Sequence, residues 1–156
     1  GQMQSLSMNQ LIKEQLDAVG FKTELDVMDW NALLALGRAG ADKYPDVSAI
    51  NISRAAQDPF NALIRLVSTQ QWAPKGSNWG HFSNPEMDAL ITQIYGEFDS
   101  EKRLILLTKL NELMNAQAAL IWVAHDVNPR ALSPKVHGFI QAKNWFQDLT
   151  PVTVSP

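Results

Sequence analysis

The sequence predicts an α/β lobe with a mainly parallel sheet flanked by helices, and three observations lead there. Short apolar or alternating runs at residues 22–27, 47–52 and 119–124 take turns with helical stretches, the order expected of strand, helix, strand crossovers. A length of 156 residues with 46% hydrophobic content suits one domain, residues 1–156, with a core of its own. The first helix begins almost at residue 1, whereas a helix in such a fold normally follows a strand. The first strand is therefore expected upstream of Gly1, in a larger protein, with Gly1 itself a cloning or cleavage remnant.

Met8, Leu11, Ile12, Leu16 and Val19 recur at three- and four-residue steps, which gives an amphipathic helix that Gly20 closes. Residues 22–27 then alternate, with Thr23, Leu25 and Val27 on one side and Lys22, Glu24 and Asp26 on the other, as in a half-buried strand. Asp29 caps a short helix carrying Trp30, Leu33, Leu34 and Gly37, and the run AGADKYP breaks it off. Residues 47–52 (VSAINI) suit a buried strand. Asp58 and Pro59 form a cap and first-turn pair for a helix running to Val67.

A long loop, residues 68–83, follows, rich in Gln, Gly, Pro and Trp. Loops of this length in a compact domain are functional or disordered, and two tryptophans favour function. Asn84 caps the next helix, Pro85 suits its first turn, and Glu86 and Asp88 suit the positive end of its dipole. Met87, Leu90, Ile91 and Ile94 form its apolar face. Asp99 caps a partner helix with Leu104, Leu107, Leu110 and Leu113 or Met114 as its buried stripe, so the two make a hairpin. Residues 119–124 (ALIWVA) read as a second apolar strand. Residues 126–134 are extended or looped, residues 136–140 add a short piece, and residues 141–156 form an irregular, Pro-punctuated tail.

Composition excludes several functions. The net charge of -3, with acids and bases interleaved, gives no footprint for a phosphate backbone, so no nucleic-acid partner is expected. There is no cysteine, hence no disulfide, thiolate nucleophile or Cys-based zinc site. No apolar run approaches the roughly 20 residues of a membrane-spanning helix, and no signal peptide precedes the first helix. GxSxG, GxGxxG and GxxxxGK[ST] are absent, and Glu86 and Asp88, two apart on a helix, face different ways, so the chain does not read as an enzyme. His81, His125 and His137 match no metal spacing, and no cofactor is expected.

The candidate site residues each carry two readings. Asp58 pairs with an ammonium or guanidinium of a ligand, a contact of about 1.5–3 kcal/mol when shielded from water, or simply caps its helix. Arg54 offers a fork for a carboxylate or phosphate. Trp72 and Trp79 sit in the polar loop, where no local pattern demands burial, and serve as ligand or lobe contacts. His81, between Trp79 and Phe82, donates to a ligand or is an ordinary surface histidine. His125 beside Asp126 faces a crevice at a strand end or forms a satisfied polar pair. Trp122 reads as core, Trp30 as helix packing and Trp145 as surface cover.

The ordered set LIKEQLDAVGFKTELDVMDWNALL, VSAINI with DPFNAL, NWGHFSNPEMDALI and FDSEKRLILLTKLNELMNAQAALIWVAHD resembles the C-terminal lobe of extracellular solute-binding proteins of family 5. These are the peptide- and nickel-binding components of ABC importers, with two lobes of the periplasmic-binding-protein type II. The resemblance implies capture of a peptide, opine-like or related small solute between this lobe and a missing N-terminal lobe, handover to permease subunits, and a periplasmic or membrane-attached location. It implies that residues 53–59 face the cleft, with Asp58 at the position that pairs with a peptide's amino terminus, although SRAAQDPF departs from the longer acidic and aromatic stretch of many relatives. It also implies that the loss of the first strand exposes a sheet edge open to self-association. Two other classes stay open: the effector-sensing domain of a transcription regulator, and an α/β enzyme domain.

Overall fold

The computed structural model of the chain describes residues 5–47, 49–53, 59–124, 129–142 and 146–156. Helices dominate them: α1 (Ser5–Ala18), α2 (Trp30–Ala39), α3 (Pro59–Val67), α4 (Pro85–Gly96) and α5 (Ser100–Ala116). A 3-10 turn, Ala41–Lys43, follows α2, and another, Thr69–Gln71, follows α3. The described residues contain one two-stranded antiparallel sheet, β1 (Val136–His137) with β2 (Thr153–Val154), in the register Val136 to Val154 and His137 to Thr153.

The expected α/β fold with a mainly parallel sheet is thus overturned. Residues 22–27 and 119–124, and the described part of 47–52, join no ladder. Alternating or apolar sequence supplies the pattern of a strand, but a strand exists only as a member of a pair. Without partners here the intended inner faces lie open: Val27 is 70% exposed and Ile121 64%. Trp122, expected in the core, is also exposed, its indole N–H donating to Asn115 Oδ1 at 2.8 Å. The tail is not wholly irregular, since β2 lies within it and Ser155 N–H donates to the Lys135 carbonyl at 3.0 Å.

Helix ends follow their local chemistry. Asp29 Oδ1 accepts from the N–H groups of Asn31 and Ala32, Asn84 Oδ1 from Glu86 and Met87, and Asp99 Oδ1 from Glu101 and Lys102. Pro85 sits in the first turn of α4, where no intrahelical donor is required. At the end of α1, Gly20 takes φ +99° and donates to Asp17 O, while Phe21 donates to Leu16 O. This paired closure needs a left-handed residue, and glycine supplies it without steric cost.

The core belongs to the second half of the helices. Phe60, Ile64 and Val67 of α3 meet Met87, Ile91 and Ile94 of α4 and Leu107, Leu110 and Met114 of α5. The α4/α5 hairpin is its backbone, α3 lies against α5, and Phe82, Leu113, Ala119 and Leu120 pack around the edge. The Phe60 ring meets Tyr95 edge to face at 4.7 Å, with the Arg103 guanidinium over its own face at 4.7 Å. By contrast, α1 buries no residue. Met8, Ile12 and Leu16 are half-buried, and polar contacts also tie the helix: Asn51 Nδ2 to Asn9 Oδ1 at 2.9 Å, and Lys13 with Asp17 and Thr23.

Candidate functional site

A loop as long as residues 68–83 must satisfy its backbone polar groups without a helix or sheet to do it. The side chain of Asn78, 1% exposed, performs this task. Its amide donates to the carbonyls of Ser68 (3.1 Å) and Phe82 (2.8 Å), and its Oδ1 accepts from Phe82 N–H (3.0 Å). Its backbone donates to Gln71 O and accepts from Ala73 N–H, so two stretches of the loop run side by side. Asp88 of α4 holds the loop's beginning, accepting from Thr69 N–H at 3.0 Å and Thr69 Oγ1 at 2.5 Å. The sequence placed Asp88 with the helix dipole; its acceptor role was hidden because Thr69 lies nineteen residues away.

On this frame stand three predicted site residues. Trp72 and His81 come together, their rings stacked 5.0 Å apart with an interplanar angle of 16°. The indole N–H of Trp72 donates to Phe82 O at 2.8 Å, which fixes the ring plane while 37% of the residue stays exposed. His81 takes φ +53°, and its Nε2 lies 2.9 Å from Ala73 O. A carbonyl only accepts, so Nε2 carries the proton. Trp79 points elsewhere: its ring lies against the backbone of Gly37 in α2, and its carbonyl accepts from Ala41 N–H at 2.9 Å.

Two glycines make this docking feasible. Any side chain at Gly37 would run into the Trp79 ring, and a Cβ on Gly40, which has φ +93°, would stand 2.6 Å from His81 Nε2. Asp42, in the 3-10 turn, completes the junction with Oδ1 at 3.7 Å from His81 Nδ1. Lys43, which bonds the Asp42 carboxylate at 3.2 Å, is the main cause holding that carboxyl below its ordinary range, with His81 a lesser one. Sequence reasoning missed Gly40 and Asp42. A glycine inside a helix costs about 1 kcal/mol against alanine, and Gly37 is the signal that marks the docking face.

Arg54 and Asp58, the charged candidates, lie outside the described residues, as do His125, Asp126 and Trp145. Among the described residues no three His, Asp or Glu side chains converge as a metal site, and no helix is long and apolar enough to cross a membrane. A groove of about 500 Å3 lies between α4 and α5, lined by Thr92, Gln93, Glu97, Lys102, Ile105 and Leu106 among others, apart from the loop. The Trp72 and His81 stack lies at the surface, with Trp72 exposed.

No family model and no solved structure matches the chain. The chain is similar to bacterial binding proteins. Heme-binding protein A of Haemophilus influenzae is 35% identical over 85 residues, 54% of this chain and 15% of that protein. The probable deoxycholate-binding periplasmic protein YgiS of Escherichia coli (strain K12) is 29% identical over 122 residues, 78% of this chain and 21% of that protein. The chain thus spans about a fifth or less of the curated relatives it matches.

Proposed function

We propose that the chain is the solute-contacting part of one lobe of an extracytoplasmic binding protein of the family 5 type, which captures a small solute for an ABC importer without transforming it. Similarity to two binding proteins, one named as periplasmic, supports a periplasmic ligand-binding role. The observation that supports Trp72 as a contact is its partly exposed ring, set by its hydrogen bond to Phe82 O and backed by His81. An aromatic face already held in place binds without losing rotamer freedom.

The named ligands of the two relatives, heme and deoxycholate, are both ring systems bearing carboxylates, which suit an indole face, and the guanidinium of Arg54 has the chemistry to pair with a carboxylate. Asp58 is the counterpart for a solute carrying an ammonium group. A second lobe and the permease supply the rest of the capture cycle.

Calorimetric titration with heme, deoxycholate and a dipeptide, on this chain and on a longer protein that carries it, tests the reading. One of these solutes binds, more tightly to the longer protein, and Trp72→Ala weakens it about tenfold, equivalent to about 1.4 kcal/mol. Unchanged affinity in Trp72→Ala removes the loop from the site, and absence of binding for all three solutes refutes these as the solute class.

A further inference from the structure

We propose that Asn78 is the positioning residue for the Trp72 contact: its side-chain amide fixes the Phe82 carbonyl to which the indole N–H is anchored. The functional meaning of this role rests on the reading of Trp72 given above, whereas the anchoring itself is a property of the solute-free chain. Two different parts of Asn78 act on Trp72. The backbone brackets it: Asn78 N–H donates to Gln71 O at 2.7 Å and Asn78 O accepts from Ala73 N–H at 3.1 Å, one residue to either side of Trp72. Those bonds place the Trp72 backbone and leave its ring a choice of rotamers.

The side chain of Asn78 supplies what the backbone cannot. Its Oδ1 accepts from Phe82 N–H at 3.0 Å and its Nδ2 donates to Phe82 O at 2.8 Å. These two groups belong to the peptide planes on either side of the Phe82 Cα, so fastening both fixes φ and ψ of that residue. The Phe82 carbonyl is thereby aimed, and its second lone pair accepts from Trp72 Nε1–H at 2.8 Å. Hydrogen bonds weaken steeply when bent, so an acceptor free to turn would release the indole. Nδ2 also donates to the carbonyl of Ser68, the residue that caps the 3-10 turn leading into Trp72. One amide therefore holds both the approach to Trp72 and the acceptor of its ring, and at 1% exposure water does not compete for it.

Proton exchange followed by NMR on the solute-free chain separates the two parts of Asn78. In Asn78→Ala the backbone bonds remain, so Ala73 N–H keeps its protection, while the Trp72 indole N–H exchanges about fivefold to tenfold faster, the scale of one net hydrogen bond. Trp72→Phe, which keeps a ring and loses the N–H, identifies that signal, and the Trp122 indole, bonded to Asn115, is the unchanged control. An indole as protected as in the parent overturns the proposal. So does an equal loss at Ala73 N–H, which would mean that the loop opens as a whole. If Asn78→Ala does not fold, the parent chain decides: a Trp72 indole more protected than free tryptophan supports the anchor, and one exchanging as freely beside a protected Phe82 N–H overturns it. In calorimetry with deoxycholate, Asn78→Ala weakens binding about fivefold in the parent and leaves it unchanged in Trp72→Ala, because it acts through that ring. Equal weakening in both backgrounds overturns the positioning role, whereas absence of binding counts against the capture reading and leaves the exchange result to decide.

Discussion

At the scale of single residues, Asn78 shows how one buried amide substitutes for secondary structure. Alanine there leaves Phe82 N–H without its acceptor, at about 1–3 kcal/mol, and removes one of two donors to Ser68 O, the other being Gln71 N–H. Urea unfolding of Asn78→Ala should report a loss of about 1–3 kcal/mol, with an unchanged slope if the denatured state is unaffected. Asp17 is a surface counterpart. Hydrogen bonds from Lys13 first and Thr23 next hold its carboxyl at about 2, against an ordinary 3.8. A depressed folded pKa stabilises the chain above the unfolded value, so this contribution is complete above pH 3.8 and lost as pH falls toward about 2. Lys13→Met should move the Asp17 midpoint, followed by carboxyl NMR, back toward 3.8.

At the scale of elements, the helices were legible because their signals are local. Asp29, Asn84 and Asp99 each accept from N–H groups two and three residues on, within reach of a reading that sees only neighbours. The strands were not, because residues 22–27 and 119–124 carry the right side chains and lack a ladder. The aromatic residues of the loop were legible, yet the different placement of Trp72 and Trp79 was not, since it depends on Gly37 and Gly40 some forty residues earlier. Gly37→Ala puts the two kinds of rule in opposition. Helix propensity favours alanine by about 1 kcal/mol, whereas intrusion on the Trp79 ring costs about 1–3 kcal/mol. A net loss of stability with a red shift of tryptophan emission is expected, while Gly96→Ala, which meets open space at the last residue of α4, should leave the emission unchanged and cost no stability.

At the scale of the whole molecule, burial is lopsided. Nine buried apolar residues on α3, α4 and α5 form the core, and every one was within the helical stripes or runs visible in the sequence. The apolar stripe of α1 was equally visible, but Leu11 is 55% exposed and no residue of that helix is fully buried. Periodicity reveals which face of a helix is apolar; it carries no information on whether a neighbour is present to cover it. The same limit applies to Phe21, Ile121 and Phe146, apolar side chains that the fold leaves in contact with water.

The polar tether of α1 has a kinetic consequence. A helix held by Asn9 to Asn51, and by Lys13 and Asp17 to Thr23, with Met8, Ile12 and Leu16 only half-buried, exposes less new apolar surface when it lets go than the core does, so it need not open together with the core. Its amides should exchange with solvent by fraying and detachment, with rates less sensitive to denaturant than those of α5 around Leu110, which exchange only through events that strong denaturant accelerates. In native-state exchange the two helices would then behave as separate clocks on one chain, the faster set by a few hydrogen bonds and the slower by the interior.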